Sequence, residues 1–282
     1  MGKVIVSGAA PQMTVPSTFP PIGTALNDMT WEQIRAISDA GKAADYFNLG
    51  DTKTITINGK VGNTTFSNLS IDAFIIGFNH NSAREGANRI HFQIGKINGT
   101  LVGLVDGNYG NNTSTTGAFT MNTSYTNSGG WNNSHMRKTV LGSNSTSATS
   151  PAANTLLAAL PADLRAVMKP ATKYSDNTGG GSDTASYVTS TTDLLPLLSE
   201  FEYRGAITYA NSAEKNYQAQ YDYYKAGNSR VHYKHNATGT AAGVWCRSVS
   251  SSNSYYFCLV NTDGSASYSN GYSWALAPCF FV

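Results

Sequence analysis

The amino-acid order predicts an α+β fold, and three observations carry that reading. A helix-start signature stands near the beginning, a period-two stretch with a turn dipeptide follows it, and the last third breaks into short apolar pieces joined by Ser, Asn, Gly and Tyr. Helices and strands do not alternate in the way that builds a parallel sheet, and no repeat of about 20–50 residues is found.

Residues 1–27 carry Pro11, Pro16, Pro20 and Pro21 among short apolar pieces. Proline fixes the backbone and removes a donor, so this segment reads as an extended arm that docks on a neighbour or along the domain. The domain itself is expected over 28–282. Thr30, with Gln33 three residues on, makes a capping box, and Trp31, Ile34 and Ile37 share the face behind it, with Gly41 as the stop. Lys53 to Ile57 alternates, Asn58-Gly59 supplies a type I′ turn, and Lys60 to Phe66 returns. Ile71–Phe78, Ile90–Ile94 and Leu101–Val105 read as buried strands, and 107–130 as a long polar loop. Helices are expected at about 132–141, 152–159 and 162–168, the last opened by Pro161. Asp176 to Ser190 reads as loop, Leu194 to Phe201 as an apolar stretch interrupted by Pro196, and Ala213 to Ala226 as a helix stopped by Gly227. Gly243 to Val282 should form short strands between polar loops.

Charge narrows the function classes. Asp, Glu, Lys and Arg make up 13% of the 282 residues, against about 25% in ordinary domains, so Asn, Ser, Thr, Gly and Tyr must cover the surface. That surface suits extracellular adhesins and virion proteins better than cytosolic enzymes. A net charge of +2 without a Lys/Arg cluster gives no electrostatic case for nucleic acid. No apolar run approaches the length of a membrane span, so membrane insertion is not expected. Met1 to Gly8 has one positive charge and too short an apolar run for a signal peptide, so a protein that works outside a cell would be expected to leave by lysis or as part of a particle. The three cysteines, Cys246, Cys258 and Cys279, lack metal-site spacing and read as small buried residues or as a single Cys258–Cys279 bridge.

Catalytic chemistry finds little support. His232 and His235 have no third ligand nearby, and zinc needs three or four. Asn79-His80-Asn81 with Arg84, Glu85 and His91 could form an acid–base cluster, but loop histidines at strand ends more often serve structural hydrogen bonding. Glu200 and Glu202 read as structural or capping carboxylates, since no second pair converges on them. Gly179-Gly180-Gly181 lacks the context of a phosphate loop, and no hydrolase, metalloprotease or kinase signature occurs. No cofactor is expected.

The anomaly is the C-terminal composition. Ser250 to Tyr256 and Ser265 to Trp274 are dominated by Tyr, Ser, Asn and Gly, the composition of antibody binding loops. Tyrosine supplies wide amphipathic contact at low entropy cost, and Ser, Gly and Asn supply adaptable hydrogen bonds. Phe257, Leu259, Val260 and Ala275 to Val282 would anchor such loops to a core. Lys, Glu, Gln and Met total 27 residues, yet none follows Lys234, where composition alone would place about four or five.

Trp31-Glu32-Gln33-Ile34, Gly77-Phe78-Asn79-His80, Gly130-Trp131, Ser134-His135-Met136-Arg137, Leu160-Pro161-Ala162-Asp163-Leu164 and Leu197-Leu198-Ser199-Glu200 occur in order. With Val244-Trp245-Cys246-Arg247-Ser248 and Ala275-Leu276-Ala277-Pro278, they resemble an uncharacterised domain family of gut bacteria and their phages, over residues 28–282. Members resemble the variable proteins of diversity-generating retroelements. The resemblance implies a C-type-lectin-like fold, related to that of the formylglycine-generating enzyme, with a variable region at about 244–282. In such systems template adenines are copied with errors, and Asn codons become codons that encode no Lys, Glu, Gln, Met or Trp. The missing residues after Lys234 fit that pattern and Trp274 departs from it. The resemblance implies ligand binding by Cys246, Ser250, Ser252, Asn253, Ser254, Tyr255, Tyr256, Tyr268, Asn270, Tyr272 and Trp274. It implies a receptor-binding or adhesin protein of a phage tail, with a bacterial surface protein or glycan as ligand. The arm would attach it to the particle, as a homo-oligomer such as a trimer. The alternatives are a bacterial surface ligand-binding protein or a structural virion component. An enzyme of the formylglycine-generating type is the least favoured, because no cysteine pair matches that pattern.

Overall fold

The computed structural model describes residues 19–282; residues 1–18, most of the expected arm, lie outside them. The described part of the arm packs along the domain. Leu26 is buried, Phe19 lies edge-on to Tyr46, and Asn27 Oδ1 accepts the Thr54 amide at 2.8 Å. Residues 19–27 thus lie along the domain, one of the two placements expected for the arm. Helix Trp31–Asp39 follows as expected: Thr30 Oγ1 accepts from Gln33 N and Gln33 Oε1 accepts from Thr30 N, while Trp31, Ile34 and Ile37 are buried.

The first hairpin, β1 (Thr52–Val61) and β2 (Thr64–Phe78), turns at Gly62-Asn63 and not at Asn58-Gly59. Asn58-Gly59 lies inside β1 as a bulge, where the register shifts between Ile57↔Leu69 and Gly59↔Phe66. Val61 and Phe66 explain the difference, because both are buried and a turn at 58–59 would take them out of the core. Gly62 suits the true turn, with φ of +57° and a position where a Cβ would stand 2.0 Å from the Gly117 carbonyl oxygen.

The main sheet continues through β3 (Ile90–Ile97) and β4 (Thr100–Gly103). Next come β5 (Ala171–Asp176) and β6 (Val188–Asp193), a separate antiparallel pair that the sequence hid. Their buried positions carry Lys173, Ser175 and Asp193, so no apolar alternation marks them. β7 (His232–Lys234) pairs parallel with β4, and β8 (Ala237–Ala242) completes that edge. β9 (Val244–Val249), β10 (Phe257–Val260) and β11 (Ala266–Ser269) form a small antiparallel sheet. β12 (Cys279–Phe281) returns to the main sheet beside the first half of β3. Helices and mostly antiparallel strands are thus mixed, an α+β fold.

The expected helix over 213–226 breaks into a 3-10 turn (Ser212–Asn216) and a short helix (Asp222–Lys225). Tertiary bonds divide it, since Gln218 Nε2 donates to Tyr174 O at 2.6 Å and Tyr221 N to Glu202 O at 3.0 Å. The expected helix at 132–141 is a helical turn at Gly130–Asn133 followed by a π-helical segment, Met136–Leu141. The next two shorten to Leu156–Ala159 and Ala162–Val167.

The largest apolar cluster runs from Leu26 to Val282 and draws on both halves of the chain. Trp245, Val249, Phe257 and Leu259 belong to it, while Cys246, Cys258 and Val260 belong to a second cluster. β9 and β10 therefore lie between two cores, which is why every residue of both is buried.

Candidate ligand-binding face

The loops that leave these buried strands hold most of the residues singled out above. Tyr255, Tyr268 and Tyr272 are exposed at 51, 43 and 37%, among the few large apolar side chains that face water. Ser252 is exposed, and Asn253, Ser254, Tyr256, Asn270 and Trp274 are half-buried. Two aromatic groups result. Tyr256 stacks on Tyr268 at 4.8 Å between ring centres, and Tyr209 meets Tyr268 edge-on at the same distance. Tyr272 lies over Trp274 at 6.2 Å, and Tyr109 meets Trp274 edge-on at 5.4 Å. Tyr125, 54% exposed, packs on Gly271 beside the second group, while Asn127 touches the first loop. The segment 125–127 therefore contacts both loops.

Two of the expected residues do not belong to the face. Cys246 is fully buried in the second core, because β9 is covered on both sides. Ser250 is 1% exposed and sits at the loop base, bonded through its amide to Tyr256 O at 2.9 Å and bridged to Ala210. All three cysteines are free, so the Cys258–Cys279 bridge does not form. Burial pushes each thiol up, Cys279 to about 12.

The loop 250–256 is gripped from two sides. On one side Asn127, fully buried, donates from Nδ2 to Asn253 O at 2.8 Å and Tyr256 O at 3.0 Å, and its amide donates to Ser254 O at 2.8 Å. Gly180 N in turn holds Asn127 Oδ1 at 2.8 Å. On the other side Glu200 receives the amides of Thr208, Tyr209 and Ala210 at 2.8–3.3 Å. That fixed turn presents Tyr209 O to Ser251 N at 2.9 Å. The second loop is tied to the polar segment after β4: Thr113 N donates to Gly271 O, Gly110 N to Ser273 O, and Ser273 Oγ to the buried Asp106 at 2.6 Å. Neither 250–256 nor 268–274 carries a charged side chain.

Beneath the face lies a buried ion network. Arg247 on β9 makes a two-pronged contact with Glu202, and Lys173 on β5 reaches Glu85 at 2.5 Å, Glu202 at 3.0 Å and Tyr221 Oη at 2.9 Å. Arg247 and Lys173 hold the Glu202 carboxyl well below the usual range despite its burial. The structure brings His80, Glu85 and His91 together there, with His80 stacked on Tyr221 at 3.8 Å. Burial and the Lys173 charge push the His80 imidazole down to about 3. His80, Glu85 and Glu202 are the one trio among the described residues spaced to hold a metal ion, and the Lys173 ammonium already sits against both carboxylates. Glu202 also closes a capping box with Ser199, so the carboxylates at 200 and 202 are the structural groups they were expected to be. His232 is buried on β7, and His235 accepts the Val105 amide, so this pair is structural as well.

Residues 111–282 match the family described as a domain of unknown function, DUF6273. The chain belongs to that family. No curated protein and no solved structure matches it. The DUF6273 region contains both loops, the Asn127 and Glu200 grips, and β9 to β12. Sequence reasoning missed four members of this DUF6273 assembly: Asn127, Tyr209 and Tyr125 at the face, and Glu200 in its gripping role. Asn127 had one local signal, a turn-forming Asn-Ser-Gly-Gly run, but its partners in the loop lie more than 120 residues away.

Proposed function

We propose that the chain is a receptor-binding or adhesin protein that presents the 250–256 and 268–274 loops to a bacterial surface protein or glycan. The observation that carries this reading is the coincidence of exposed, uncharged tyrosines with backbone held rigidly from outside the loops. Rings of this kind supply binding energy through area and hydrogen bonds, and a preformed loop lowers the ordering cost. The fold is read as C-type-lectin-like and the chain as a diversity-generating variable protein, both on the resemblance of the motifs. Attachment to a phage tail through the segment 1–27, and homo-oligomer formation, belong to the same reading.

The test is genetic and direct. Sequencing the DNA around the gene should find a reverse transcriptase and a template repeat nearly identical to the codons for about 244–282. Tail genes without any template would instead favour a structural virion component.

A further inference from the structure

We propose that Asn127 is the positioning residue of the face: it sets the backbone of the 250–256 loop from outside, so the loop's shape is independent of the Ser252, Ser254 and Tyr255 side chains it displays. The inference rests on reading this loop as a ligand-binding element. Its physical basis is the kind of bond that holds the loop. Asn127 uses both Nδ2 hydrogens on main-chain carbonyls, those of Asn253 and Tyr256, and its own amide on a third, that of Ser254. Ser250 N to Tyr256 O and Ser251 N to Tyr209 O are main-chain bonds too. Each would survive a change of side chain within the loop.

Asn127 is itself held in place. It is fully buried, its Oδ1 accepts from Gly180 N, and its carbonyl accepts from Gly130 N at 2.9 Å. Gly181 supplies the floor: its φ is +73°, and a Cβ there would stand 2.8 Å from the Ser254 nitrogen. By contrast the Ser254 and Tyr255 side chains make no hydrogen bond, and the Ser252 hydroxyl meets only that of Ser250, at 3.4 Å. Within the loop Asn253 Oδ1 accepts the Tyr255 amide at 2.8 Å, so Asn253, whose own carbonyl Asn127 holds, belongs to the frame. Specificity is therefore carried by Ser252, Ser254 and Tyr255, and geometry by Asn127, Gly181 and Asn253.

Hydrogen exchange on the full chain separates these roles without any ligand. In Asn127→Ala the amides of Ser250, Ser251 and Tyr255 should exchange about tenfold faster or more, with β3 and β12 unchanged. Asn127→Asp, which keeps the acceptor to Gly180 and loses both side-chain donors, should loosen the same amides. A triple variant, Ser252→Lys with Ser254→Trp and Tyr255→Ala, should leave them within about twofold of the native rates. Unchanged loop protection in both Asn127 variants would overturn the proposal, and so would loosening of the loop by the triple variant. Should Asn127→Ala fail to fold, the Asp and triple variants still decide it. A loop that loosens as expected in a chain that adheres to no bacterium would retain the positioning role and reject the adhesin reading.

Discussion

At the scale of single residues, the ion network makes the sharpest claims. Arg247→Ala leaves the Glu202 carboxylate buried with Lys173 as its remaining cation. Breaking a buried pair on one side costs about 3–5 kcal/mol, which chemical denaturation should register as a lowered midpoint. Cys246 makes a second residue-level claim, since it was expected at the ligand face and lies in the core. A water-soluble thiol reagent should leave all three cysteines unmodified in the native chain at pH 8 and modify all three in denaturant. Rapid native modification of Cys246 would restore it to the surface.

At the scale of elements, the turn of the first hairpin is the informative case. Gly62→Ala meets the Gly117 carbonyl and a left-handed backbone together, and should cost about 2 kcal/mol or more, whereas Asn58→Ala should cost about 1 kcal/mol or less. Thermal melts of the two variants check the ordering. The same hairpin shows what the sequence could convey. Local signals held: the Thr30–Gln33 capping box and the apolar strands stand where patterning put them. The Asn58-Gly59 signal was equally local but was overruled by the burial of Val61 and Phe66, a tertiary demand. β5 and β6 were illegible because, apart from Ala171 and Val188, their buried residues are ionic or hydroxylic, and a buried lysine with two carboxylate partners breaks the apolar alternation that marks a strand. At the face, the exposed tyrosines were legible from composition. The division between displayed residues and loop base was not, because it depends on Asn127 and Glu200, remote in sequence.

At the scale of the whole molecule, buried titratable groups set the response to pH. Burial pushes the His232 imidazole down to about 4, and burial with Lys173 pushes His80 down to about 3. Both are neutral in the folded chain and titrate near 6.5 when unfolded, so their stabilisation is present above about pH 6.5 and is lost as pH falls. At pH 5 each imidazole removes about 2 kcal/mol. His91, also pushed well below its usual value by burial, acts in the same direction. Glu214 opposes them, because burial pushes its carboxyl up to about 7 and it favours the folded state at lower pH. Burial raises the Glu85 carboxyl as well, and it lowers the His135 and His235 imidazoles. Two carboxyls against five imidazoles leave a net loss, so the melting temperature should fall from pH 7 to pH 5. Glu214→Gln should steepen that fall.

The described chain displays a sparse aromatic surface on a packed core, and one paired measurement tests the role proposed for that surface. Fluorescently labelled chain is incubated with a panel of intact gut bacteria, alongside the double variant Tyr255→Ala with Tyr272→Ala, and both are melted in parallel. On the proposed function, removing each ring should cost about 2 kcal/mol or more of binding, while exposed substitutions shift folding by roughly 0.5 kcal/mol or less. The account predicts that the native chain labels at least one bacterium, and that the variant loses that labelling with a nearly unchanged melting temperature. Labelling that survives the double substitution, or a variant that unfolds with its loss, would contradict it.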